Sequence, residues 1–238
     1  INSIQLLQGD LLLAVKNQNN DFQGTDIGGN PIGPILDVGK KDLFVFRPNT
    51  PGDYSTGTFF MLLDEVASNF LTGVSLVEQD TLVGDATVKA GTFLMNEGNS
   101  LDIVVFDPTG PAGGVGVGAD TQGTKTTLIA GDDIGLGNNI AKISGIDLIE
   151  TDITLGDATL TAGNILVTLT GNDTDVGNND LVVTENDVFY LDVTTTTAGP
   201  LFNGLGTTAA NAYMFIEGAD IGFDTPSEEV GALSLLIR

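Results

Sequence analysis

Asp173 and Asp175 stand two residues apart in the segment Asn172-Asp173-Thr174-Asp175-Val176-Gly177-Asn178-Asn179-Asp180. Hard divalent cations take several carboxylate and carbonyl oxygens from a turning backbone, and alternate acids followed by a glycine can supply them. The spacing makes Asp173, Asp175 and Asp180 candidate ligands for Ca2+. The segment lacks the closing Glu and the loop frame of an EF-hand. A corresponding stretch near the start carries Asn19, Asn20, Asp21 and Asp26, and a shortened one reads Glu97-Gly98-Asn99. The competing explanation is structural. Asn, Asp and Gly are what hairpin turns require, because they accept left-handed backbone or bond their own main chain.

Other acids recur at one place in the chain, as Asp64/Glu65, Asp132/Asp133 and Glu217/Asp220. They could line one rim, or each could cap a turn by accepting backbone N–H groups. Recurrence favours capping, since every copy of a unit needs the same turn. Phe223-Asp224-Thr225-Pro226-Ser227 resembles the catalytic loop of aspartic proteases. Pro226 replaces its glycine, however, and no second Asp-Thr-Gly exists to build the carboxylate pair that shares a proton. Gly113–Gly118 is followed by neither Lys nor a helical pattern, so it is a poor phosphate cradle. Paired carboxylates of the glycosidase kind could be drawn from so many acids, but the chain has no Trp for sugar stacking.

Composition narrows the chemistry further. The chain has 32 Asp+Glu against 8 Lys+Arg, a net charge of −24, and no Cys, His or Trp. Disulfides, thiolate or imidazole zinc sites, His-based triads and Cys nucleophiles are thereby excluded. The negative field argues against nucleic acid and anionic lipid as partners. With 41% hydrophobic residues, the 238-residue chain can build a substantial core. No apolar run approaches the roughly 20 residues of a bilayer span. The first residue is Ile1, so a processed or trimmed chain is expected, and the composition leans toward an extracellular bacterial or archaeal protein.

The elements that must carry these residues are strands. Short apolar runs rich in Val, Ile, Leu, Phe and Thr lie between Gly, Asn, Asp and Pro. Leu11–Leu13 and Ile103–Phe106 have the composition of strands buried on both faces, and only 63–71 could form a helical turn. Val77–Gly91 matches Ile149–Gly163 without a gap at an offset of 72, with eight of fifteen residues identical. The strand that follows occurs three times, at Gly9–Leu13, Gly91–Met95 and Gly163–Val167. A second strand occurs at Asp42–Phe46, Asp102–Phe106 and Asp187–Leu191. A third occurs at Thr58–Leu63, Thr126–Ile129 and Ala212–Ile216, and a fourth at Val74–Glu78, Ile146–Glu150 and Leu233–Ile237.

The expected fold is therefore all-β, in three tandem pseudo-repeats of about four antiparallel strands (about 1–78, 79–150 and 151–238) forming one domain. A propeller-like or β-prism-like pseudo-threefold arrangement is the leading architecture. The fourth-strand pattern also precedes the first copy, as Ser3-Ile4-Gln5-Leu6-Leu7. One version of that strand is thus surplus, closing the molecule on itself or pairing with another.

The pattern G-D-L-L-L-x-V … D-x-F-x-F-x-P-T … T-x-x-M-x-x-D … D-I-G-L … I-D-L resembles the propeller-like four-stranded repeats of secreted bacterial surface proteins. Copy three departs from it, with Val193 in place of the Pro. The resemblance implies a location and an architecture rather than an activity. Taken together, these features predict a non-enzymatic extracellular subunit of a surface layer, sheath or filament, a homo-oligomer or polymer. Ile4, Leu6, Leu7, Leu233, Leu235 and Ile237 would carry strand exchange between subunits, with Ca2+ screening the charge. The alternative is a calcium-dependent adhesin or carbohydrate-binding module.

Overall fold

A computed structural model describes residues 6–16, 20–98, 100–108, 121–136, 141–156, 158–196, 199–200, 207–223, 225, 230–231 and 233. Ile4, Leu235, Ile237, Asp224 and the Gly113–Gly118 loop lie outside them. The fold is all-β, in several antiparallel sheets, with no closed barrel or propeller among the described residues. The chain divides into two compact units, 1–71 with 108–123 and 72–107 with 124–238.

The first unit contains β1 (Leu11–Ala14), β2 (Asn20–Thr25), β3 (Pro31–Val38), β4 (Leu43–Thr50) and β5 (Asp53–Leu63). They form one sheet in the order β1-β4-β5-β2-β3. Alternation of apolar residues puts Phe22, Phe44 and Phe59 on one face, with Phe22 and Phe44 centroids 4.9 Å apart and Phe22 and Phe59 5.3 Å apart. Leu36, Val38 and Met61 complete that core. The apolar run Leu11–Leu13 does not become a doubly buried strand. Among the described strands β1 pairs only β4, and Leu11 is 37% exposed.

The second unit holds the remaining strands. The first group is β6 (Leu71–Leu76), β7 (Thr81–Val83), β8 (Ala86–Val88), β9 (Phe93–Glu97), β10 (Ile103–Pro108) and β11 (Gly123–Ile129). Next come β12 (Ile143–Leu148), β13 (Ile153–Leu155), β14 (Ala158–Leu160), β15 (Ile165–Leu169), β16 (Asp173–Val176) and β17 (Leu181–Val183). The last are β18 (Val188–Thr196), β19 (Gly199–Pro200) and β20 (Thr208–Ile216). Its two main sheets run β19-β11-β10-β9-β6 and β12-β15-β18-β20, and β7-β8, β13-β14 and β16-β17 are separate hairpins. Leu94, Ile103, Ile143, Ile146, Val167 and Phe189 are among the fully buried side chains of its core.

In both sheets the strand closing one sequence copy pairs with the strand opening the next. β6 lies beside β9, and β12 pairs β15 with Ile146 opposite Val167. The helical turns fall elsewhere than expected. They occupy Gly131–Ile134 and Gly218–Ile221, at the ends of β11 and β20, whereas 63–71 holds the end of β5, bends and the start of β6.

Candidate functional site

The recurrent acids act first on the backbone. Asp42, Asp102 and Asp187 each precede a second strand, and each accepts a backbone N–H from the corner ending the third strand. The donors are Glu65 N at 2.8 Å, Gly131 N at 3.0 Å and Gly218 N at 2.9 Å. The other oxygen of Asp42 takes Gly39 N, and that of Asp187 takes Thr184 N and Thr184 Oγ1. Asp42 and Asp187 are buried. Of the corner acids themselves, Asp133 accepts Thr208 N at 2.9 Å, while Asp132 and Asp220 are exposed. The corners are capped turns of the kind the recurrence favoured, and the acids just upstream of each second strand do most of the capping.

A second turn also recurs three times. Leu7–Asp10, Lys89–Thr92 and Thr161–Asn164 each close with the fourth N–H bonding the first carbonyl. The third residue is Gly9, Gly91 or Gly163, with φ of 95°, 86° and 95°, a left-handed backbone that glycine accepts without strain. In the first copy Asp10 also receives a two-pronged contact from Arg47, at 2.9 and 2.7 Å. Burial raises the Asp10 pKa, but the hydrogen bonds from Arg47 and from Leu7 N–H prevail and hold it below the usual carboxylate range.

The three predicted calcium ligands are not brought together as a loop. Asp173 and Asp175 lie in β16 rather than in a turn, and Asp180 sits in the turn beyond, with φ 54°. Cross-strand partners put Asp173 opposite Val183 and Val176 opposite Leu181, so Asp180 lies at the far end of the hairpin from Asp173. Asp173 is 2% exposed; its Oδ1 accepts Thr174 N at 2.8 Å, and its Oδ2 is buried without a hydrogen-bond partner. Burial, then the neighbouring Asp175 carboxyl, raises the Asp173 pKa. Among the described residues no group of three or more acidic side chains is placed to hold a metal ion.

The predicted assembly residues separate as well. Leu6 and Leu7 lead into β1, and Leu7 is 50% exposed. Leu233 instead packs on its own chain, against the cluster of Ile149, Leu160, Leu166 and Val188. β1 offers an edge of Leu-Leu-Leu-Ala with neither charge nor proline. The opposite edge, β3, carries Pro31 and Pro34, residues that blunt strand addition.

Contacts between equivalent residues were not legible beforehand. Gly73 approaches Ile146 N and the Gly145 carbonyl carbon, so a Cβ there would come within 3.1 and 3.3 Å of them. Ser75 Oγ bonds Asp147 at 3.0 Å and receives Leu148 N at 3.2 Å. The Glu150 carboxylate accepts Glu78 N and Gln79 N. Residue i therefore meets residue i+72 over Gly73–Gln79. The offset of 72 was readable in the sequence, but not that the two copies touch in register. No protein-family model, curated protein or solved structure matches the chain.

Proposed function

We propose that the chain is a non-enzymatic, extracellular structural subunit that polymerises by adding a strand at the edge of β1. The carrying observation is the contrast among sheets. In the second unit, β9 and β15 are each flanked by the closing strand of the preceding copy, β6 and β12. β1 is the equivalent opening strand of the first unit, and no described strand flanks its outer edge. The N–H and C=O groups on the edge of Leu11–Ala14 that no described strand pairs are a template for another strand. The proline-bearing edge at β3 directs addition to one side.

The repeat arrangement, propeller-like or prism-like, belongs to the same proposal. Its support is the in-register contact of β6 with β12, together with Ser144 Oγ donating to the Val230 carbonyl. Equivalent strands running side by side are what a radial repeat requires. With −24 charges per chain, close subunits need counterions, so assembly rises with calcium or ionic strength.

The test is negative-stain microscopy and light scattering of the full chain and of a chain lacking residues 1–8, across calcium concentrations. Polymers in the full chain that change on truncation support the reading. Monomers at all calcium levels, with truncation harmless, overturn it. A calcium-dependent adhesin is the second reading, and one observation favours it, the buried unpartnered Oδ2 of Asp173 beside Asp175. A calcium-induced rise in melting temperature that D175N abolishes would support that reading.

A further inference from the structure

A cleft of about 420 Å³ opens in the second unit, between β17, the turn before β18, and the corner after β20. Its wall includes Asn186, which is 9% exposed. Asn186 Nδ2 donates to the carbonyls of Phe223 and Thr225 at 3.1 and 3.3 Å. That pair fixes the amide, because the flipped side chain would press its oxygen against two carbonyls. Asn186 Oδ1 is then left buried with no partner. A buried acceptor without a donor costs roughly 1–3 kcal/mol, and calls for an N–H.

The rest of the lining specifies what carries that N–H. Glu185 and Glu217 line the same cleft, and neither carboxylate has a hydrogen-bond or ion-pair partner among the described residues. Asp187 is also present, but both its oxygens are committed to Thr184 and Gly218. Apolar surface comes from Val182, Met214 and Phe223, with Val182 60% and Phe223 39% exposed. Two carboxylates and an amide oxygen suit a group with several donors and a full positive charge. The apolar wall suits a methylene stem, and Phe223 can face the cation. A divalent metal fits less well, since it wants six or so oxygens and no cluster of three acids is placed to hold one among the described residues.

We infer that this cleft binds a primary alkylammonium group, with the ammonium between Glu185 and Glu217 and the stem along Val182 and Met214. The field of the acidic chain concentrates such cations at the surface. A free linear diamine and a lysine side chain share this chemistry. The site is independent of strand addition at β1, so either idea can fail alone.

Methionine-methyl NMR tests it on the full chain. Met214 lines the cleft, while Met61 and Met95 are buried in the cores and report on the fold. Titration with cadaverine and with acetyl-lysine methylamide, at near-physiological salt, is expected to shift the Met214 methyl saturably and leave the other two. Response to both ligands assigns the lysine side chain as an occupant; response to cadaverine alone assigns a free diamine. The E185Q/E217Q variant is expected to weaken binding about tenfold or more. D132N, which removes a charge at the equivalent corner of copy two, is expected to leave it unchanged. The inference is overturned if neither ligand shifts Met214. It is equally overturned if E185Q/E217Q binds as well as the parent, or if D132N loses as much.

Discussion

The corner at Gly131 and its counterpart at Glu65 meet one requirement with different residues. Both present a backbone N–H to the Asp that heads a second strand, Asp102 and Asp42. At Gly131 the chain passes so close to Leu101 that a Cβ would come 2.4 Å from its carbonyl oxygen. Gly218 repeats this against Asn186, at 2.5 Å from Cβ and from the carbonyl oxygen. At Glu65 the backbone turns left-handed instead, with φ 50°, and carries a full side chain that pairs with Lys41 at 2.8 Å. The hydrogen bond is what the repeat preserves; the path of the chain around it is free to differ. A glycine becomes obligatory only where backbone meets backbone.

The largest effect is expected at Gly131. G131A forces a methyl into the Leu101 main chain and is expected to lower unfolding free energy by about 2–4 kcal/mol. E65A, at the equivalent position, already has room for its Cβ and loses only an exposed ion pair, about 0–1 kcal/mol. Urea denaturation of both variants checks the difference, and equal losses would refute the account. The buttressing acids come next. D187A strands three donors, Thr184 N, Thr184 Oγ1 and Gly218 N, and is expected to lose about 2–3 kcal/mol. D102A removes the acceptor of Gly131 N from a half-buried site, for about 1 kcal/mol.

One further effect has the opposite sign. The Asp173 pKa is raised in the folded protein, so this group destabilises at neutral pH and the penalty fades as pH falls toward its unfolded value. D173N keeps an oxygen for Thr174 N and gives Asp175 a donor. It is expected to stabilise by about 1 kcal/mol at pH 7 and by less near pH 4, in thermal melts at the two pH values. Asp10 behaves inversely. Its lowered pKa contributes stability above the unfolded value, and that contribution is lost as pH falls through the folded one.

Much of the fold was legible. Gly91 and Gly163, matched at an offset of 72, have nearly the same φ, and Asp80 and Asp152 accept Ala90 N and Ala162 N at 3.0 and 2.9 Å. Turn chemistry is local, so sequence identity carries it faithfully. The candidate sites were less legible. Asp173 and Asp175 look like loop ligands by spacing, but the register of β16 with β17 makes them strand residues and separates Asp180. Asn186 carried no signal at all, because its unmet acceptor depends on two carbonyls nearly forty residues downstream.

The material and the period are written in the residues themselves. These are strands of β-branched and aromatic residues, turns at Gly and Asp, a segment that recurs at an offset of 72, and the lack of Cys and His that removes thiol and imidazole chemistry. Strand pairing depends on the folded chain. Nothing local says that β12 joins β15, that residue i rests on residue i+72, or that Leu11–Ala14 ends a sheet with its outer edge free of any described strand. Those outcomes follow from which apolar faces can be buried together, and burial is a property of the assembled chain rather than of any segment.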